Sequence, residues 1–559
     1  MEYKQEIAQL LHKHAPLSVE ELLSIISTPP DPKLGDYAFP CFKLGKNPHE
    51  EAEKIQKAIQ LPSFLHKVQV AGPYLNFFVD KSQLTKETVS TVLKQKERYG
   101  HGKQKKNIVI EFCSPNTNKP LHLGHLRNIA IGDSLFRLLS FQGNKVHPVE
   151  IINDRGVHIC KSMLAYARWG KNQQPQKKTD HFVGDYYVLF AQKAKENPSL
   201  EEEAQQMLLA WEKDDKKVQA LWKKINQWAI QGIKQTYKRV GIRFEQEDRE
   251  SQIYKKGKEM VQKGLQRTIF IQDKTGAIIA PLEKEGLTNK VVLRADGTSV
   301  YITQDLYLAE KRYYDFKFDQ MLYVVASEQN LHFQQLFKIL ELLQKPYANK
   351  VYHLSYGLVN LPSGRMKSRE GTVVDADDIL DEISALAEKE VRQRYTRLPE
   401  KEIKRRAEFI ALGALKFYLL RTDPARDMIY NPEESLSFEG ETGPYLQYTH
   451  ARACSILRKA KRQGKIEYTL LTQPQEDILV KLLAAFPQKV EETALQRKPH
   501  LLCRYVLDLA QVFNGYYHAF PVISENHKLM QARLALVQSI QITLQNALRL
   551  FGMEAPEEM

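Results

Sequence analysis

The chain predicts an α/β protein in which a parallel-sheet domain sits between a small mixed unit and a run of helices. Three observations carry that expectation. Ile108–Cys113 reads IVIEFC, the mostly apolar run of a strand buried on both faces. Leu121–Phe141 places apolar residues at helical spacing and stops at Gly143, and Val146–Ile152 returns as a second strand. Strand, loop, helix and strand within about 45 residues make a βαβ unit, right-handed by default.

The elements follow in order. Residues 1–100 are expected as an α+β unit, with a helical start and strand-like pieces at Tyr37–Leu44 and Val68–Val79. The second piece contains Gly72-Pro73, a turn signal, and the basic stretch Lys94–Lys106 reads as a linker. The parallel-sheet domain spans 101–430. It contains a helical insertion at about 170–290, most densely charged between Asn172 and Arg249. The sheet resumes with Met321–Ala326 as strand, Leu331–Leu343 as helix and Val351–Leu358 as strand. Residues 431–559 are expected to be all-α, with amphipathic helices such as Leu501–Phe513 and Met530–Phe551.

Composition narrows the function classes. The 559 residues carry 81 Lys+Arg against 67 Asp+Glu, a net charge of +14. Such an excess suits a nucleic-acid partner, although a solvated basic surface is the plainer alternative. No run of about eighteen apolar residues occurs, so no membrane span is expected. The amino terminus lacks the apolar core of a signal peptide. The five cysteines are scattered, with no CxxC pair and no Cys/His cluster, so no zinc is expected. A reducing, cytoplasmic setting follows.

The densest chemistry lies in Ser114–Asn128, SPNTNKPLHLGHLRN. His122 and His125 flank Gly124 at the first turn of a helix, where free N–H groups and the helix dipole favour a phosphate. Gly124 lets a nucleotide approach the backbone, and a spacing of three puts both imidazoles on one face. They can donate to phosphate oxygens as negative charge builds. Two unrelated histidines are the bland alternative, weakened by the position between a strand and its helix. Farther on, Tyr301 and Asp305 are four apart and share a face if that segment is helical.

This segment resembles the HIGH motif of class I aminoacyl-tRNA synthetases, and its extended form resembles the arginyl-tRNA synthetases. The resemblance continues through Lys178–Val188, Arg294–Asp305, Gln329–Gln334, Glu439–Arg452 and Asn546–Leu550. It implies a Rossmann-type (HUP-like) catalytic domain, an N-terminal domain that meets the tRNA elbow, and a helical anticodon-binding domain. The implied reaction activates L-arginine with ATP and Mg2+ to arginyl-adenylate, releasing pyrophosphate, and then transfers the arginine to the 3′ end of tRNA(Arg), with tRNA bound before the first step. The expected state is a monomer. A non-catalytic tRNA-binding relative and a small nucleotidyltransferase are the rival readings; the first would lose the histidines or the acid, the second is usually far shorter.

The resemblance also distributes roles. His122, Gly124 and His125 would hold ATP. Ser114, Pro115, Asn116 and His125 would surround the arginine α-amino and carboxylate groups, with Asn153 assisting. Tyr301 and Asp305 would grip the guanidinium, a planar cation that a carboxylate can hold bidentately, with Gln329 nearby. Gly364–Thr372, GRMKSREGT, stands where the family carries KMSKS. Arg365, Met366 and Lys367 fit loosely, but Ser368 replaces the second lysine. Lys119 would compensate, sharing the leaving pyrophosphate with Arg365 and Lys367. For tRNA, Tyr74, Asn76 and Phe77 of the first domain and Pro444 and Tyr445 of the last are the implied contacts. Exposed aromatics there could stack on unpaired bases, and a role in the small unit's own core is the alternative.

Overall fold

A computed structural model describes residues 3–29, 31, 34–360, 374–460 and 464–559. The amino-terminal unit packs α1 (Tyr3–His12), α2 (Val19–Ile25) and α3 (Pro48–Ala58) with β1 (Tyr37–Pro40), β2 (Leu65–Ala71) and β3 (Tyr74–Val79). The sheet is antiparallel in the order β1-β3-β2, and Gly72-Pro73 makes the β2–β3 turn. Gly35 enters it with φ +112°, and a Cβ there would lie 2.8 Å from the Phe77 carbonyl oxygen, so a side chain is excluded. Neighbouring Asp36 accepts from the Val79 N–H and pairs with Lys481 at 2.7 Å, which fastens the unit to the carboxy-terminal helices. The expected linker Lys94–Lys106 is a connector only from Tyr99 onward. Its first residues complete α4 (Lys81–Gln95) and a 3-10 turn at Lys96–Arg98.

The central domain begins with β4 (Asn107–Glu111), α5 (Leu123–Phe141) and β5 (Lys145–Ile152). Four further helices follow: α6 (Val157–Trp169), α7 (Thr179–Glu196), α8 (Ser199–Glu212) and α9 (Lys216–Val240). They bury their own apolar cluster, including Met163, Phe182, Phe190 and Ile225. The expected helical insertion of about 170–290 is too long. Gln246–Arg249 forms β6, α10 covers Glu250–Gln266, and β7 (Ile271–Gln272), β8 (Ile278–Ala280) and β9 (Lys290–Leu293) form a small antiparallel sheet. The polar run Gln-Glu-Asp-Arg of β6 hides a strand because an edge strand needs one paired side and no apolar alternation.

α11 (Tyr301–Phe316), β10 (Gln320–Ala326), α12 (Asn330–Leu342) and β11 (Val351–Tyr356) complete the sheet in the order β11-β10-β4-β5-β6, every pair parallel. The chain leaves β4 toward β5 on one side and returns as β10 on the other. Such a switch point opens a crevice beyond the carboxyl end of the middle strand. β12 (Val359–Asn360) follows.

Helices α13 (Ala376–Arg394), α14 (Glu400–Leu420), α15 (Pro432–Ser435), α16 (Gly443–Lys459), α17 (Pro474–Gln496), α18 (Pro499–Ala519) and α19 (His527–Leu550) form the carboxy-terminal half. Between α14 and α15, β13 (Met428–Ile429) pairs in parallel with β12. α4 packs against α17 and α19, so the first and last parts of the chain meet.

Candidate active site

The crevice at the carboxyl end of β4 is built first by α5. His122 is its N-cap, in extended conformation, and His125 is its third residue. The Gly124 N–H donates to His122 Nδ1 and the His122 N–H donates to His125 Nδ1, both at 3.1 Å. Two imidazoles thus replace the Ser and Glu of an ordinary capping box. Burial, with Lys119 beside it, lowers the His122 pKa to about 3. Burial also holds His125 well below the usual histidine range, helped by His122 and Lys119. Both rings are neutral, Nδ1 is an acceptor in each, and the proton therefore sits on Nε2. With ring centroids 3.9 Å apart, the pair offers two N–H donors at a helix N-terminus. The expected face-sharing is real, but a cap and its box partner produce it rather than two helical positions.

The loop before α5 lies against the loop after β5. Asn116 pairs with Asn153 in a parallel bridge, the Asn153 N–H donates to the Pro115 carbonyl at 3.0 Å, and Asn153 Nδ2 reaches the Ser114 carbonyl at 3.3 Å. Cys113 and Ser114 both adopt positive φ, +73° and +49°, a costly pair for residues with side chains. Asn128 of α5 holds that turn: its Oδ1 accepts from the Cys113 N–H, and its Nδ2 donates to the Val324 carbonyl and the Tyr356 hydroxyl. Lys119 lies nearby; burial lowers its pKa, and Asp375 opposes the shift.

The other end of the crevice is acidic. Tyr301 and Asp305 stand one turn apart on α11, Tyr301 58% exposed, and Asp305 accepts from His332 Nε2 of α12 at 2.7 Å. Gln329 is exposed on the 3-10 turn Ser327–Gln329 just before α12. Two further carboxylates reach Asp305 electrostatically, Glu111 at the end of β4 and Glu250 at the start of α10. Burial pushes Glu250 up to about 8 against the pull of Arg155, and its Oε2 has no hydrogen-bond partner. Glu111 pairs with Arg312 of α11, and Ser114 Oγ donates to it at 3.4 Å, so one acid ties α11 to the loop before α5.

Ser114, Pro115, Asn116, Lys119, His122, Gly124, His125 and Asn153 thus cluster near the N-terminus of α5, Tyr301 and Asp305 stand on α11, and Gln329 precedes α12. Arg365, Met366, Lys367 and Ser368 lie outside the described residues. The expected tRNA contacts fare unevenly. Tyr74 is 40% exposed and Tyr445 half-buried, but Asn76, Phe77 and Pro444 are buried and present no side-chain surface. Phe77 is fully buried in the unit's apolar core, where α3 packs on β2 and β3. Glu111, Glu250 and His332 were not singled out by sequence. A glutamate inside the IVIEFC strand carried a usable signal, since a buried carboxylate demands a partner.

Asp180, His181 and Asp377 bring three possible metal ligands within 4.8 Å of one another. Lys178 Nζ lies 2.7 Å from Asp180 and 2.8 Å from Asp377, so an ammonium already partners both carboxylates.

Comparisons with known proteins extend over nearly the whole chain. Residues 88–431 match the family described as tRNA synthetases class I (R), catalytic domain. Residues 446–559 match the DALR anticodon binding domain, and 1–79 the arginyl tRNA synthetase N terminal domain. The arginine–tRNA ligase of Treponema denticola is 45% identical over 98% of this chain and 97% of its own length. That of Borrelia hermsii is 41% identical over 97% and 96%. Among solved structures, the Thermus thermophilus arginyl-tRNA synthetase superposes with a TM-score of 0.85 at 28% identity, covering 100% of this chain and 99% of that one. A neutral histidine pair at the N-terminus of the helix after the middle strand of a parallel sheet is thus met in a chain that belongs to the class I arginyl-tRNA synthetase family.

Proposed function

We infer that this crevice carries out the family's reaction in two steps. L-Arginine and ATP give arginyl-adenylate and pyrophosphate, and the arginine then passes to the 3′ end of its tRNA. What supports the reading is the neutral His122/His125 pair at the N-terminus of α5, together with the Asp305 carboxylate held by His332. The two Nε2–H groups and the helix N-terminus donate to ATP phosphate oxygens, and Gly124 leaves the backbone open to them. Asp305, oriented by His332 and backed by Glu111 and Glu250, receives the guanidinium beside Tyr301 and Gln329. Ser114, Pro115, Asn116, His125 and Asn153 hold the α-amino and carboxylate groups. The substrate carboxylate then attacks the α-phosphorus in line, so positioning and electrostatics supply the catalysis without a protein nucleophile.

Lys119 stabilises the departing pyrophosphate together with Arg365 and Lys367, with Met366 and Ser368 in the same ATP-binding stretch. ATP enters as its magnesium complex, and no zinc takes part. On the tRNA side, Tyr74 and Tyr445 are the surviving candidates for stacking on bases. The division into 1–100, 101–430 and 431–559 assigns elbow binding, chemistry and anticodon binding. No helix among the described residues is long and apolar enough to cross a membrane. Five buried, unpaired cysteines support a reducing cytoplasmic setting, and a monomer completes the proposal.

The test is aminoacylation of bulk tRNA with each of the twenty labelled amino acids. Arginine alone is expected to be charged; charging with another amino acid, or with none, overturns the reading.

A further inference from the structure

The geometry points to Arg127 as a positioning residue that joins the adenylation site to the helical, tRNA-binding half of the chain. The inference rests on the function proposed above. Arg127 lies on α5 two residues after His125 and is fully buried. Among the described residues no carboxylate forms an ion pair with it. Its charge is met by four main-chain carbonyls. Nη1 donates to Gly357 at 2.6 Å and Leu358 at 3.1 Å, and Nη2 donates to Arg426 at 2.7 Å and Pro424 at 3.4 Å. Burying a guanidinium is costly unless such groups receive it, and a planar fork can hold two segments where an ammonium holds one point.

Those carbonyls belong to two segments that meet at a joint. Gly357 and Leu358 link β11 to β12; Pro424–Arg426 links α14 to β13. The Gly357 N–H donates to the Pro424 carbonyl at 2.8 Å, the Met428 N–H to the Leu358 carbonyl at 2.9 Å, and the Leu358 N–H to Asp427 Oδ1 at 2.7 Å. Contact is so close that a Cβ on Gly357 would lie 2.4 Å from the Arg426 carbonyl carbon. The far side of the joint is fastened to the helices. Asp423 pairs with Lys498 at 3.0 Å and lies 3.8 Å from His500 at the start of α18. The Arg497 guanidinium, at the end of α17, sits 4.3 Å over the Tyr352 ring of β11. On the near side is α5, whose first turn carries His122 and His125.

Arg127 binds both segments, and both lead to opposite halves of the molecule. α5 also packs directly on α14, α17, α18 and α19, but Arg127 is the tie beside its first turn, through which displacement of the helical half by docked tRNA is coupled to His122 and His125.

The test uses the full chain and an arginine-accepting tRNA. ATP–pyrophosphate exchange with arginine is measured with and without tRNA, beside the tRNA Kd and the KM values for arginine and ATP. Arg127→Lys keeps the charge but not the fork; Asp427→Ala cuts the same joint at the Leu358 N–H. The expected result for Arg127→Lys is a near-normal tRNA Kd and near-normal KM values, with the acceleration by tRNA reduced about tenfold or more. Asp427→Ala should shift the same ratio in the same direction by less. An unchanged ratio overturns the inference, as does a uniform loss in tRNA-free exchange and tRNA affinity alike. If Arg127→Lys does not fold, the Asp427→Ala ratio decides. A wild-type chain whose exchange ignores tRNA also overturns it, while exchange that depends on arginine leaves the proposed function standing.

Discussion

At the scale of single residues, the acidic recess is a matter of one carboxylate and what orients it. Asp305 stands on α11 and His332 on α12, and their 2.7 Å contact fixes the carboxylate for an incoming cation. Asp305→Ala removes the ion partner of a partly buried guanidinium, a loss that raises the arginine KM on the order of 100-fold. His332→Ala removes a hydrogen bond to a charged group, so a rise of about tenfold is expected. Steady-state kinetics distinguish orientation from collapse, because the ATP KM should stay near wild type in both variants. Parallel loss of ATP affinity would count against the assignment. Asp305 and Tyr301 were legible as a pair at helical spacing, whereas His332 was not tied to Asp305 by any local pattern. Burial explains the opposite failure at Phe77 and Asn76. A short aromatic strand reads alike whether it faces bases or its own core, and only what packs on each face of the sheet decides.

At the scale of elements, α5 does two things at once: it closes a βαβ unit and presents its first turn to the nucleotide. The periodicity of Leu121–Phe141 predicted its existence, but its cap is made by two imidazoles that no capping rule names. Gly124 separates stability from function here. A Cβ at Gly124 would stand 3.0 Å from His122 Cε1 and 3.1 Å from Nδ1, so the ring would have to shift by a few tenths of an ångström. Alanine also favours the helix over glycine by about 1 kcal/mol. Gly124→Ala should therefore leave the Tm unchanged or slightly higher while lowering the rate of ATP–pyrophosphate exchange by about tenfold. Thermal unfolding beside the exchange assay checks this, and a fall in both together would mean that the glycine serves the fold. β6 shows why the insertion was misjudged. Its stability comes from pairing with β5, a contact 97 residues away at Ile152 and Arg249, and nothing in Gln-Glu-Asp-Arg announces it.

At the scale of the whole molecule, distant parts are pinned by polar side chains. Tyr99 donates to the Leu483 carbonyl, Asn546 to the Lys96 and Tyr99 carbonyls, and Ser134 of α5 to the Leu550 carbonyl. Such ties depend on tertiary placement and leave no periodic trace, which is why domain order was legible and domain contact was not. One tie is also a pH-sensitive element. His181 of α7 meets Asp377 at 3.0 Å and Asp375 at 3.4 Å, at the start of α13 and beside the His122 cap. The hydrogen bond to Asp377 raises the His181 pKa, with the charges of Asp180, Asp375 and Asp377 adding to it against burial. Burial would push Asp377 up, but hydrogen bonds from His181 and Lys178 pull it down to about 2. The raised histidine contributes stability that is full below its unfolded value of about 6.5 and is lost as pH rises through its folded value. The depressed aspartate contributes above about 4 and loses its share as pH falls toward 2. Both act together between about pH 4 and 6.5. His181→Ala should therefore cost most in Tm within that window and progressively less as pH rises past neutrality. Paired melting curves of the wild type and His181→Ala at pH 6 and pH 9 read the difference, and a deficit that stays constant or grows with pH would show that the ring acts by packing rather than by charge.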